Sequence, residues 1–393
     1  MKKIYQYSVL FVTVMSLVAC GTKQEASDNG SVSNSKFEIS VKDGMYIHPS
    51  DEDSSSHYLA LQVEIKNNQE KKFNFITSDI TLYNDKDEKI EPIQIYESDS
   101  KTKFLEYGES IAKGKSVAGY VVYEVDKDAQ YELHFSPSDY EDEKESDKDK
   151  DNDVSIKLDP SIYEDNIDQV KDLVKNYVDA VYLDGENTSG ASNISVTDKN
   201  AQIVPLVDNK KTTESDKKSD SESDAVTNDV KADREEFIKK FEDTLEKGFF
   251  SYKPSSAELR TFVESYIKVN AKRAKVEYNV KTYLPDYAVV YVRPETIDLK
   301  NLNVYELSRK YYEENKETYN NNFSEALKAG EKFVLENMPS QFESIPLDTP
   351  DHMDREGFEI KMTKKDGKWT IDTSSRNYEL NSLSRAFRGG FGY

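Results

Sequence analysis

The chain of 393 residues contains one cysteine, Cys20. No intramolecular disulfide is therefore available, and the protein must fold on packed apolar cores, of which a chain this long has room for about two or three. Position restricts the thiol further. Lys2 and Lys3 give a positive start, Val9 to Val18 are nearly all apolar, and a small residue precedes the cysteine in VMSLVACGTK, residues 14–23. At roughly ten apolar residues the run is too short to cross a bilayer core of about 30 Å as a helix, so it is an export signal and not a permanent span.

Leu17-Val18-Ala19-Cys20-Gly21 resembles the lipobox of bacterial lipoproteins. That resemblance implies cleavage before Cys20 and a diacylglyceryl thioether on its sulfur, which removes it as nucleophile or metal ligand. The alternative is an ordinary signal peptide followed by an inert cysteine. Each buried CH₂ contributes about 0.8 kcal/mol, so two or three acyl chains on Cys20 would make a firm membrane anchor. The net charge of −22 becomes more negative once Lys2 and Lys3 leave with the signal. Such acidity repels polyphosphate backbones and anionic lipid surfaces, which argues against a nucleic-acid partner and leaves anchoring to the lipid.

Residues 1–19 are thus a lipoprotein signal peptide, and 20–36 lack apolar periodicity and are expected to be a disordered tether. From Phe37 the period becomes two. HYLALQVEIKNN sets Leu59, Leu61, Val63 and Ile65 on one side and Tyr58, Ala60, Gln62 and Glu64 on the other, a half-buried strand. Further strands are predicted at 79–84, 89–95, 117–125 and 130–135, which makes residues 37–138 a β-sandwich. Gly114-Lys115-Ser116 has the tail of a phosphate-binding loop, but Glu109 stands where the first glycine is needed and a strand follows instead of a helix. LQVEIKNNQEKKFNF, ITLYNDKDEKIEPI and the stretch 108–125 resemble the telokin-like, immunoglobulin-like domain of Gram-positive bacterial surface lipoproteins. That resemblance implies a binding or spacer module without assigned catalytic residues.

Residues 139–158 are expected to be an acidic linker; 139–153 carry nine acids and three lysines. Aspartates at 147, 149, 151 and 153 suggest calcium, yet Asn152 and Leu158 occupy the positions where an EF-hand needs Gly and Glu. Diffuse calcium attraction stays open beside a plain charged linker. A helical period follows, with Asp159-Pro160 as the start and Tyr163, Ile167, Val170, Val174, Tyr177 and Val181 forming a stripe. A disordered insert is expected at about 186–228, then helices at 233–247 and 256–270, the second with Ser255 and Glu258 as a capping box. Hairpins are predicted in VEYNVKTYLPDYAVVYV and FEIKMTKKDGKWTID, separated by a long helical region at 303–337. Residues 159–375 are therefore an α+β domain with helices on an antiparallel sheet, and 376–393 a C-terminal tail. The order of elements and the DGKWTID ending resemble a C-terminal lipoprotein domain of unknown function with similarity to the nuclear-transport-factor-2-like fold.

With Pro285-Asp286 as the first turn, Val276, Tyr278, Val280, Val289 and Tyr291 share one sheet face, and Trp369 joins them if the hairpins share a sheet. Tyr278, Tyr291 and Trp369 are the candidate ligand-facing residues, either lining a recess or covered completely by helices. Catalytic material is sparse. His48, His57, His134 and His352 form no zinc motif, so no metal and no cofactor is expected. Ser110 lacks the nucleophile-elbow context, and His352 between Asp351 and Asp354 is either an acid-base group or a loop histidine. The pattern fits a non-catalytic, membrane-anchored module outside the cell that binds a protein, peptide or small ligand. The alternative is an enzyme with a cavity site in the α+β domain.

Overall fold

The computed structural model describes residues 30–50, 55–137, 153–183, 226–350 and 353–391. Cys20, the aspartate run at 147–151, most of the insert and His352 lie outside them. The N-terminal strands are β1 (Ser31–Ser33), β2 (Phe37–Ile47), β3 (Tyr58–Asn67), β4 (Phe73–Ile76), β5 (Ile80–Asn84), β6 (Lys89–Ile90), β7 (Gly108–Ile111), β8 (Ser116–Glu124), β9 (Tyr131–Phe135) and β10 (Val154–Leu158). They form a sandwich of two antiparallel sheets, ordered β1-β2-β3-β8 and β10-β9-β5-β6, with β4 and β7 as a separate ribbon. Leu59, Leu61, Val63 and Ile65 of β3 point inward onto a core shared with Leu82, Leu133 and Phe135. Gly114 adopts φ +67° in the turn between β7 and β8, where its lack of a side chain is needed.

Both ends of the predicted sandwich move outward. The tether expected over 20–36 ends before Ser31, because β1 pairs with Glu38–Ser40 and buries Val32. One apolar residue in a three-residue strand leaves no period to read. The linker predicted over 139–158 ends before Val154, because β10 pairs with β9 and buries Val154, Ile156 and Leu158 in alternation. The acids before it mask that five-residue alternation.

The C-terminal region contains α1 (Ile167–Tyr182), α2 (Val230–Glu246), α3 (Ser256–Arg273), β11 (Lys275–Tyr283), β12 (Tyr287–Ile297), α4 (Val304–Asn315), α5 (Phe323–Asn337), β13 (Leu347–Asp348), β14 (Phe358–Lys365), β15 (Lys368–Ile371) and α6 (Tyr378–Ala386). The sheet order is β11-β12-β14-β15, with β13 added to β12. α1, α2, α3 and α6 cover one face, and Val174, Phe241, Tyr266 and Leu383 meet Val290, Ile360 and Met362 there. The predicted capping box forms, Ser255 accepting from the Glu258 N–H at 3.3 Å while Glu258 accepts from the Ser255 N–H at 2.8 Å. Asp159 does cap, but it opens a single 3₁₀ turn at Pro160–Ile162, and α1 starts at Ile167. Residues 376–393, predicted as a tail, contain α6; its Leu380 and Leu383, with Phe387 and Phe391, are buried. The insert expected to reach 228 also ends sooner, since Thr227 and Asn228 bond to β15.

The two regions meet. Tyr58 and Ala60 of β3, Val122 of β8 and Ile47 of β2 pack on Leu284, Tyr287 and Val289, on the sheet face opposite the helices. β3 is thus buried on both sides over Tyr58–Leu61 and on one side beyond. His48 and Tyr283 exchange backbone hydrogen bonds of 2.8 and 2.7 Å. Asp286 in the β11–β12 turn accepts from Ser100 Oγ at 2.6 Å, the Lys101 N–H at 2.7 Å and Thr102 Oγ1.

Candidate functional site

The three aromatic residues singled out by alternation do not share one face. Near the predicted turn the register is as expected, with Tyr283 opposite Ala288 and Thr282 opposite Val289. A β-bulge between Val280 and Thr282 then adds Lys281 as an unpaired residue, so Val280 faces Val290 and Tyr278 faces Val292. A one-residue slip reverses the facing of everything beyond it. Tyr278 lies on the helix-covered side, while Tyr291 faces Glu359 and Asn279 on the other. Tyr291 is half-buried under Lys281, whose Nζ sits 5.4 Å from the ring centroid.

Trp369 is on the helix side, 4% exposed, with its ring 6.0 Å from that of Tyr283. Tyr278 packs partly buried against the same core, and its hydroxyl has no hydrogen-bond partner. Burial pushes that phenol well above its ordinary range, with a smaller push from Asp179. These properties mark core side chains. The predicted histidines stay apart: His134 lies beside Asp153 and Glu132 on the sandwich, and His48 is at the domain junction, its pKa lowered by burial. No group of three or more His, Cys, Asp or Glu that could hold a metal occurs among the described residues. Ser110 donates to Asn74 on the outer, exposed side of the β4–β7 ribbon.

Two features escaped the sequence. The first is the α4–α5 hairpin. The only buried residues of α4 are Val304 and Ser308, while Tyr305 and Leu307 stay 40% and 38% exposed. Its rings lean on α5: Tyr311 stands 5.0 Å from Phe333 and Tyr312 4.9 Å from Phe323, and both phenylalanines remain more than 40% exposed. Gly330 lets the helices approach, since a Cβ there would lie 2.8 Å from the Ser308 carbonyl oxygen. α5 anchors the hairpin through buried Glu331, whose carboxylate accepts from the N–H groups of Phe250, Ser251 and Tyr252 at 3.2, 2.8 and 2.6 Å. Three ion pairs run along its own helices, Arg309–Glu306, Lys316–Glu313 and Lys332–Glu336. In the sequence this surface reads as an ordinary amphipathic helix, since Val304, Leu307, Ser308 and Tyr311 stand at steps of three and four and nothing marks Leu307 as exposed.

The second feature is a cavity of about 110 Å³ between the end of β12, β13 and α6. Asp298, Lys300, Asp348 and Arg385 contribute charge to its wall, and Phe358 and Ala386 an apolar floor. Lys300 and Asp348 form an ion pair, which lowers the Asp348 pKa. Gly389, at φ +67°, closes the wall; a Cβ there would lie 2.4 Å from the Ile297 carbonyl oxygen. These residues converge only through the β12–β13 pairing and the return of α6, so no local motif announces them.

Residues 25–146 match the family model of a domain of unknown function, DUF4352, and residues 209–388 that of a second, DUF5105. The chain is 24% identical to the uncharacterized lipoprotein YcdA of Bacillus subtilis (strain 168), over 98% of each protein. The crystal structure of a ycdA lipoprotein from Bacillus subtilis subsp. subtilis str. 168 superimposes with a TM-score of 0.59 at 22% identity, covering 92% of this chain and 99% of that one. It shows the fold. A lipoprotein structure from Staphylococcus aureus subsp. aureus NCTC 8325 covers 36% of this chain and 94% of its own at 20% identity, with a TM-score of 0.26. The chain is thus similar along nearly its whole length to an uncharacterized lipoprotein of a Gram-positive bacterium, and no described helix is long and apolar enough to cross a membrane.

Proposed function

We propose that this chain is a non-catalytic interaction protein of the cell envelope, lipid-anchored through Cys20 on the outer face of the cytoplasmic membrane, and that it docks a protein partner on the α4–α5 hairpin. The observation that carries the reading is an amphipathic helix with only Val304 and Ser308 buried and a row of half-exposed rings beside it. Aromatic side chains are enriched at the centres of protein interfaces, and contiguous exposed apolar surface is uncommon on monomers. Three ion pairs close within the hairpin's own helices, and apolar contact through its rings is the main source of recognition. Depressed Asp348 is a carboxylate held charged by a lysine, which suits binding better than proton transfer.

A photo-crosslinking amino acid in place of Tyr305 should give one discrete adduct in intact cells, with none from the same probe at Tyr107, which is 73% exposed on the sandwich. The adduct should persist at about 0.5 M salt, where surface charge attraction is screened, and should vanish in Leu307→Ser and Phe333→Ser. Equal labelling from both positions would reject the hairpin as the docking surface. Intact mass of the membrane fraction should show an acylated chain beginning at Cys20. Cys20→Ser should release the protein from the membrane, and retention of that variant would remove the anchor from the proposal.

A further inference from the structure

We infer that the junction between the sandwich and the C-terminal sheet holds a small-ligand site, a recess that takes the acetamido group of an N-acetylated amino sugar. It lies between Pro49 and Ser50, which follow β2, residues 94–97 between β6 and β7, and Thr282 and Leu284 at the end of β11. Both sandwich walls are pinned. The backbone exchange between His48 and Tyr283 fixes the chain entering Ser50. The other wall is tied at one end by the Ile93 N–H on the Val122 carbonyl at 2.8 Å, and at the other by Ser100 on Asp286.

Thr282 is the residue that points to a ligand. It stands opposite Val289, which packs on the sandwich, so its side chain belongs to the junction side of the sheet. It lines the recess, is 1% exposed, and its hydroxyl has no hydrogen-bond partner. A buried hydroxyl left in that state destabilises the fold until something bonds to it. The space is about 40 Å³, room for about three or four non-hydrogen atoms. That is the size of an acetamido group and too small for a sugar ring. Leu284 and Pro49, both buried, and Ile95 of the same small core give its methyl an apolar contact. Gln94 offers a donor and an acceptor that match the carbonyl and N–H of a second amide, and the Thr282 hydroxyl supplies a further donor to that carbonyl. Among the described residues at the wall Glu97 alone is charged, which disfavours an anion, and its carboxylate already accepts from the Asp99 N–H at 3.2 Å. Tyr96, at the rim and 83% exposed, presents its ring to the C–H face of a sugar whose acetamido group is inside.

The test titrates the full chain, purified in a detergent without a sugar headgroup, with N-acetylglucosamine, glucosamine, glucose and N-acetylalanine methylamide, followed by ligand-observed NMR. N-acetylglucosamine should bind, with glucose and glucosamine each weaker by about tenfold or more, since neither carries the acetamido group. Thr282→Val, which keeps the shape and removes the hydroxyl, should weaken N-acetylglucosamine by about threefold to tenfold, the worth of one neutral hydrogen bond, while the melting temperature holds or rises. Thr282→Ser should restore binding. Tyr96→Ala, at a side chain that packs on little, should fold normally and weaken the sugar by a similar factor. Glucose binding as tightly would mean that hydroxyls are read, glucosamine doing so would make this a cation site on Glu97, and the acetylated peptide doing so would remove the sugar from the assignment. Each of these results overturns the proposal, as does unchanged binding in Thr282→Val or no binding at about 10 mM. None of them bears on the hairpin.

Discussion

The two faces of the C-terminal sheet are built from the same strands and do opposite work. The helix side is continuous apolar core, with Val290, Val292, Ile360 and Met362 fully buried beneath α1, α3 and α6. The other side is mixed. Leu284, Tyr287 and Val289 pack on the sandwich, and alongside them Asp99 accepts from Lys361 at 2.8 Å and from the Tyr287 hydroxyl at 3.2 Å. One face holds the domain together, and the other joins two domains with part of its surface still wet. On β11, what assigns Tyr278 and its neighbours to the helix side is a single residue left out of the ladder, Lys281.

The largest effect expected is on the helix side. Trp369→Ala should lower the unfolding free energy by about 3–5 kcal/mol, the usual range for a buried large aromatic, read from denaturant midpoints. A loss below 1 kcal/mol would mean that the helices do not seal this face.

Asp286→Ala comes next, at about 1–3 kcal/mol, because it strands donors from Ser100, Lys101 and Thr102. Its sharper signature is calorimetric: the wild type should unfold as one cooperative unit and the variant as two. The pH dependence follows in sign. Burial pushes the Asp286 carboxyl up, but hydrogen bonds from Ser100, Thr102 and Lys101 outweigh that and hold it below the ordinary carboxylate value. A depressed carboxylate stabilises the fold above its unfolded pKa, and that contribution is lost as pH falls through the folded value. The junction should therefore loosen below about pH 4, and Asp286→Ala should flatten that dependence. Identical acid profiles for the two proteins would place the pH sensitivity elsewhere.

How much of this was legible depends on the range of the signal. Local periods announced β3, α3 and both hairpin turns, including Asp366 and Gly367 at φ 51° and 79°. Even the junction left a trace, since Tyr58 and Ala60 are apolar where a strand facing water needs polar side chains. The bulge at Lys281 left none, because an extra residue in a strand alters no period that can be counted in advance, and so Tyr278 and Tyr291 were paired wrongly. α6 was legible, with Leu380, Leu383 and Phe387 at helical spacing, yet it sits beyond the last hairpin where a tail is the easy reading. The cavity was not legible at all, since Lys300, Asp348 and Arg385 have nothing in common until the chain has folded.

Tyr291→Ala should then cost only about 0.5–1 kcal/mol, the scale of a partly exposed cation–π contact with Lys281. A cost near that of Trp369→Ala would put Tyr291 in a core and undo the bulge assignment. The smallest change is Tyr278→Phe. It removes a buried hydroxyl that has no partner, so stability should hold or rise slightly, by up to about 1 kcal/mol. A clear loss would reveal a hydrogen bond to that hydroxyl.

Strand β1 sets a distance. If Cys20 carries the lipid proposed above, ten residues, 21–30, lie between it and Ser31 of the sandwich. Ten residues of chain can span at most about 33–36 Å. A body anchored in that way would search a plane and not a volume. It would meet other membrane-bound molecules at a local density fixed by how many share the same surface, and anything standing farther off would have to come to it.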